Sequence, residues 1–282
     1  GQGRESRDSL ARASMLPPDR VFPWQKDLVP VLRYAMLVNP GDARAPYYLG
    51  NLLFDDQPTT AIAHWELARE LDPDFPIVHR NLALAYARSY RFDEAIASME
   101  RAVAGSPQYA THFYELDEMY EAAGRSPEER LALLEANHDV VSGRDDALSR
   151  EIALKIFTGS ADEAIELMQG RQFNVWEGGA RFKVQDLWTD AQLQRGHALL
   201  RAGRNDEALA AYRQALEFPE NLQSSRARTG GRNDEVNYWI GVAQDARGDA
   251  QRAQEYWRAA AEGSSRGAQS FFRAMALRRL GD

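Results

Sequence analysis

The chain has 282 residues, of which 44% are hydrophobic and 27% charged, with a formal net charge of −8. That acidity, with a pI near 5.3, excludes a general polyanion binder, because neutralising phosphates needs clustered Lys and Arg. No run of 18 apolar residues occurs, which excludes a helical membrane span, and zero cysteines exclude disulfides, thiolate metal sites and cysteine nucleophiles.

The first stretch, GQGRESRDSLARASMLPP, is polar and has no secretory apolar segment, so residues 1–25 read as an arm or linker. The Gly-Gln-Gly start leaves open that the chain is a piece of a longer product. Cytoplasmic localisation is the expectation unless a signal-bearing segment precedes it. Lys26, Lys155 and Lys183 are the only lysines, so 31 of the 34 basic residues are Arg, a bias that points to a GC-rich bacterial genome.

Beyond the arm the sequence repeats. Ala61 and Ala95 are 34 apart, as are Trp65 and Met99, Ala68 and Ala102, and Pro73 and Pro107. Ala35 and Pro40 precede Ala68 and Pro73 by 33. Farther on, Gly196 and Gly241, Ala208 and Ala253, and Tyr212 and Trp257 are each 45 apart. An Ala and a large residue four later mark a helix that buries one stripe. The Gly of AGR and RGD supplies the positive φ that ends the first helix of a pair, and Pro stops the second. Such a pair cannot bury its face alone, so several must stack.

These features resemble the tetratricopeptide repeat (TPR) family, carried by Leu49-Gly50, Tyr86, Ala95, Ala102 and Pro107, then Gly196, Ala208, Tyr212, Gly241, Ala253 and Trp257. The resemblance covers roughly residues 26–262 and implies an all-α, right-handed helical solenoid. A half-repeat is expected at 26–38, helix pairs at about 43–73, 77–106, 111–138, 146–170, 190–218 and 235–262, and a capping helix at 266–280. In the third pair, Glu129 and Arg130 stand where a small residue is expected.

Two interruptions break the period: FNVWEGGARFKVQD at 173–186 and FPENLQSSRARTGGRN at 218–233. Loops this long in a repeat array are uncommon unless functional or disordered. Trp176, Phe182 and Leu222 argue against disorder of the first loop and of the start of the second. Insertions in consecutive repeats project from one face, so the two loops are candidates to meet. The order YYLGNLLFD, LDPDFP, GRSPEERL, FNVWEGG, FPENL and NYWIG is similar to the C-terminal TPR region of a bacterial family of unknown function. In that family a galactose-mutarotase-like β-sandwich often lies upstream, which implies a carbohydrate-associated setting.

In TPR modules that clamp acidic chaperone tails, two Asn and three basic residues line the groove. The Asn positions fall here at Asn51 and Asn81, but the basic ones fall at Tyr47, Thr111 and Glu115, which rules against an acidic-tail clamp. Asn51 and Asn81 either hold an extended peptide backbone or orient neighbouring helices. Tyr48, Arg80, Tyr114, Glu118, His197, Tyr238 and Trp239 stand at other inner positions. Such a lining suits stacking on a sugar or an aromatic side chain, and the plainer reading is packing between adjacent helices. In the interruptions, Trp176, Glu177, Arg181, Glu220 and Asn221 are ligand candidates. Glu177 and Glu220 could do the acid–base work of glycoside cleavage if they face each other, while the plainer role for each is a loop anchor. The five histidines are dispersed, with no HExxH, and no phosphate loop or nucleophile elbow occurs, so no metal, no cofactor and no nucleic acid are expected. The leading expectation is a non-catalytic interaction scaffold whose partner is a protein or an adjoining domain of the same polypeptide. One alternative is that WEGG and PENL complete a sugar-binding or glycoside-processing site. Another is a stand-alone adaptor for an extended peptide.

Overall fold

The computed structural model describes residues 2–18, 21–174, 183–223, 232–263 and 267–281. Among the described residues all regular structure is helical, and the chain divides into compact units at 1–126 and 127–282. The fold is an all-α, TPR-like stack of helices within each unit.

The first unit holds α1 (Gln2–Ala13), α2 (Leu28–Val38), α3 (Arg44–Leu53), α4 (Pro58–Leu71), α5 (Pro76–Arg88), α6 (Phe92–Gly105) and α7 (Ala110–Ala122). The stretch expected to be an arm therefore carries a helix of its own. Pro58 and Pro76 start their helices, where a missing N–H costs nothing. From α2 to α7 each helix packs on its neighbour in sequence. The core follows the repeat: Ala61, Trp65 and Ala68 of α4, and Ala95, Met99 and Ala102 of α6, are all buried.

The second unit holds α8 (Pro127–Ala136), α9 (His138–Val141), α10 (Asp145–Phe157), α11 (Ala161–Gln169), α12 (Val184–Arg201), α13 (Asn205–Gln214), α14 (Asn233–Ala246), α15 (Ala250–Ala261) and α16 (Ser270–Leu280). Arg130, expected to disturb its repeat, is buried on α8. Acidic residues open α10, α11, α13 and α14, where they complement the positive end of the helix.

Helix pairs close through one recurring contact. A Cβ added at Gly196 would lie 2.3 Å from the Tyr212 ring, and one added at Gly241 would lie 2.4 Å from the Trp257 ring. In the first unit Gly50 meets Trp65 in the same way, again at 2.4 Å. Glycine on the first helix thus makes room for a ring on the second, which is why these residue types share the repeat.

Candidate functional site

In the first unit, the front ends of α3, α5 and α7 form a groove of about 1010 Å³. Its wall combines apolar Phe22, Ile77 and Tyr109 with charged Arg44, Asp72 and Arg80. Both arginines are engaged. Arg44 Nε donates to the Leu16 carbonyl at 2.9 Å. Arg80 makes a two-pronged bond to Glu115, with Nε to Oε2 at 2.7 Å. Such fork-to-carboxylate pairs fix geometry as well as charge. Glu115 is one of the positions where an acidic-tail clamp needs a cation, and here it neutralises one instead. His112, on the groove wall, is buried, and burial holds its ring below the usual histidine range despite the nearby Glu115 charge.

Asn51 and Asn81, read as either holding a peptide or orienting helices, hold each other. Asn81 Nδ2 donates to Asn51 Oδ1 at 2.8 Å, and the Trp65 indole N–H donates to the same oxygen at 3.0 Å. The indole also reaches the Tyr47 carbonyl at 3.2 Å. The pair therefore anchors α3, α4 and α5 to one another. Tyr47 is buried, with its ring against Tyr48 and Phe75, so it forms the groove's floor rather than a contact arm. Tyr114 donates its hydroxyl to Glu118 one turn on, at 2.9 Å.

The aromatic positions of the second unit are likewise packed. His197 Nδ1 lies 2.8 Å from the Tyr212 hydroxyl, and its ring meets Trp239 edge-on at 4.3 Å. Burial lowers the His197 pKa and raises that of Tyr212. Tyr238 is buried between Trp239 and Phe272. Tyr238 is thus core, while His197 and Trp239 keep partial exposure.

The described ends of the two interruptions do meet. Phe173 N–H donates to the Asn221 carbonyl at 2.9 Å. The Asn221 amide returns bonds to the Met168 and Arg171 carbonyls at 2.8 and 2.7 Å, which satisfies the end of α11. Phe173 and Leu222 enter one core with Met168, Leu187 and Trp188. Arg171 pairs with Asp145 at 2.6 Å, tying the same join to the start of α10. Asn221 is thus an anchor, and Glu220 stands exposed on a short 3-10 turn, Glu220–Leu222. Trp176, Glu177 and Arg181 lie outside the described residues, so the proposed Glu177–Glu220 facing is not part of this geometry.

Two polar clusters carry no motif. Arg232 bonds Asp190 and Glu235; burial works against its charge, and the carboxylates more than offset that. It borders a cavity of about 350 Å³ beside Asp186, Thr189 and Phe218. Around α10, His138 Nδ1 sits 2.9 Å from buried Glu151, and Lys155 holds Glu135 and Glu163. Sequence spacing hides these clusters because each joins helices rather than neighbours. The only hint was the charge on inward positions of α10 and α14. No group of three His, Cys, Asp or Glu side chains among the described residues could hold a metal ion, and no described helix is long and apolar enough to cross a membrane.

A tetratricopeptide repeat family model matches residues 189–221. The match is to one tetratricopeptide repeat. It spans most of α12, all of α13 and the start of the second interruption, including the Gly196–Tyr212 contact. Among solved structures, the Naa15/Naa10 complex bound to HypK-THB is 16% identical with a TM-score of 0.50, over 84% of this chain and 34% of that chain. That likeness shows the shared helical fold. A TPR protein from Parabacteroides merdae is 14% identical with a TM-score of 0.42, over 97% of this chain and 99% of that chain. YrrB, a TPR protein with an unusual peptide-binding site, is 18% identical with a TM-score of 0.36, over 90% of this chain and 100% of that chain.

Proposed function

We propose that the chain is a non-catalytic protein-interaction module that takes an extended peptide in the groove of its first unit. The observation that carries this reading is the groove itself, about 1010 Å³ and walled by residues from three successive first helices of their pairs. Peptide-binding sites of this kind combine apolar contact with a few fixed polar groups, and here Ile77 and Tyr109 supply the first and the Arg80–Glu115 pair the second. With Arg80 neutralised by Glu115 and with Asp72 and Asp74 on the wall, the peptide favoured is neutral or mixed in charge rather than an acidic tail. Asn51 and Asn81 support the wall instead of gripping the ligand.

The test is a displayed random-peptide selection on the intact chain, followed by titration of the enriched peptides. Ile77→Asp and Tyr109→Ala should each weaken binding at least about tenfold, while Glu220→Gln should leave it unchanged. Failure to enrich any peptide, or binding indifferent to Ile77 and Tyr109, removes the reading.

A second reading has Asn221 in its favour, because that residue joins the two interruptions and leaves Glu220 exposed. Under it, WEGG and PENL border a sugar site within a larger bacterial carbohydrate-associated protein. Glycan-array binding that is lost in both Trp176→Ala and Glu220→Ala would support it; an array without hits would end it.

A further inference from the structure

The groove of the first unit carries charge that the chain itself does not neutralise. Asp72 and Asp74, both on its wall, lie in the link between α4 and α5. Asp72 Oδ1 accepts the Asp74 N–H at 3.3 Å, which turns the link. Neither carboxylate has an ion-pair partner among the described residues. Of the cations on the same wall, Arg80 is neutralised by Glu115, and Arg44 gives its Nε to the Leu16 carbonyl. The wall therefore keeps a negative balance, on a chain whose formal net charge is −8.

His112 is an independent sign that a donor belongs here. It is 6% exposed on the groove wall, and its Nδ1 has no hydrogen-bond partner. The other ring nitrogen bonds the Ser106 backbone carbonyl. A carbonyl only accepts, so that nitrogen carries the proton. In a neutral ring Nδ1 is then an acceptor, and burial keeps this ring neutral. A buried acceptor without a donor costs free energy that a ligand N–H recovers. Two large rings share the groove and are open to solvent: Phe22 is 74% exposed and Tyr109 53%.

One side chain suits all three features. A guanidinium is flat and stacks on aromatic faces, pairs with carboxylates through parallel bonds, and brings five N–H donors. An ammonium is compact and strongly hydrated, so it gains less from the rings. We propose that the groove recognises an arginine of the bound peptide, set among Phe22, Tyr109 and the Asp72 and Asp74 carboxylates. The inference rests on the reading of the groove as a peptide site and adds the residue that decides which peptides enter.

The probes are the peptides enriched by display on the intact chain, resynthesised with capped ends so that no terminal amine competes. Arginine should recur at one position in them. Replacing it with citrulline, which keeps the shape and loses the charge, should weaken binding about tenfold. Asp72→Asn with Asp74→Asn should weaken the arginine peptide by a similar factor and leave the citrulline peptide unchanged. Asn at 72 can still accept the Asp74 N–H, so helical circular dichroism should not move. Phe22→Leu should weaken the arginine peptide about two- to fivefold. Peptides that bind through Ile77 but lack arginine, or that tolerate citrulline or the double substitution, would overturn this inference and leave the groove reading standing. Selection that enriches no peptide, or peptides indifferent to Ile77→Asp, would overturn both.

Discussion

The two units solve the same packing problem under different constraints. In the first, short links let each helix from α2 on pack directly on the next, and the partly buried Arg80–Glu115 ion pair sets Arg80 on the groove wall. In the second, helices are separated by long interruptions, and the buried polar groups are many: Arg150, Glu151, Lys155, Asp234 and Glu235 among them. The comparison teaches where specificity resides. Where the repeat is regular, apolar interlocking is joined by a local polar tie, Asn51 with Asn81 and the Trp65 N–H, between successive helices. Where it is interrupted, polar side chains such as Asn221 and Arg232 reach partners more than 40 residues away.

The largest effect expected from breaking that contrast is at Phe173. It is fully buried in the core that both interruptions share, so Phe173→Ala should cost about 3–5 kcal/mol, read as a lowered urea midpoint. An equal loss from truncating exposed Tyr109 would erase the distinction between core and groove. Next is the glycine–ring contact common to both units. Gly50→Ala and Gly241→Ala each drive a methyl into an indole ring at 2.4 Å and should cost about 1–3 kcal/mol by thermal melting. Asn221→Ala comes close behind: it strips two carbonyls of their donor and should cost about 1–3 kcal/mol. Asn51→Ala should cost a similar amount by taking the acceptor from the Asn81 amide and leaving the Trp65 N–H only the Tyr47 carbonyl, without abolishing peptide binding.

Titration gives a smaller effect in both units. Burial lowers the pKa of His112 and of His197 from 6.5. Each ring is therefore neutral in the folded chain and protonates more readily when unfolded. The stability this gives is complete above about pH 6.5 and declines as pH falls below it. His197→Gln should flatten that decline between neutral pH and about pH 5, measured by chemical denaturation. The smallest effect belongs to Tyr90, which has φ +58 and is 83% exposed at a turn matched elsewhere by Gly124, Gly203 and Gly248. A left-handed conformation costs a non-glycine residue about 1 kcal/mol, so Tyr90→Gly should raise stability by about that much.

What the sequence made legible follows from these interactions. The glycine-to-aromatic rhythm is local chemistry repeated at a fixed interval, so Gly196, Ala208, Tyr212 and Trp257 disclosed the fold class before any coordinates. The helix over Gln2–Ala13 was missed because its residues are polar and carry no apolar stripe. The groove was half legible. Inner positions such as Arg80 and Glu115 could be located by repeat phase, but their pairing with each other depends on how α5 and α7 come together. For Asn51 and Asn81 peptide contact and helix orientation both stayed open, because nothing in the spacing shows that Trp65 already occupies Asn51. The same limit applies to Asn221, whose partners lie 50 and 53 residues away.

Hydrogen exchange of the chain with and without a selected peptide tests the central claim most directly. The account predicts slowed exchange around residues 72–80 and 106–112, on the groove of the first unit, and none at 168–173 or 218–223. Protection confined to those second-unit segments would contradict it and place the binding surface at the joined interruptions.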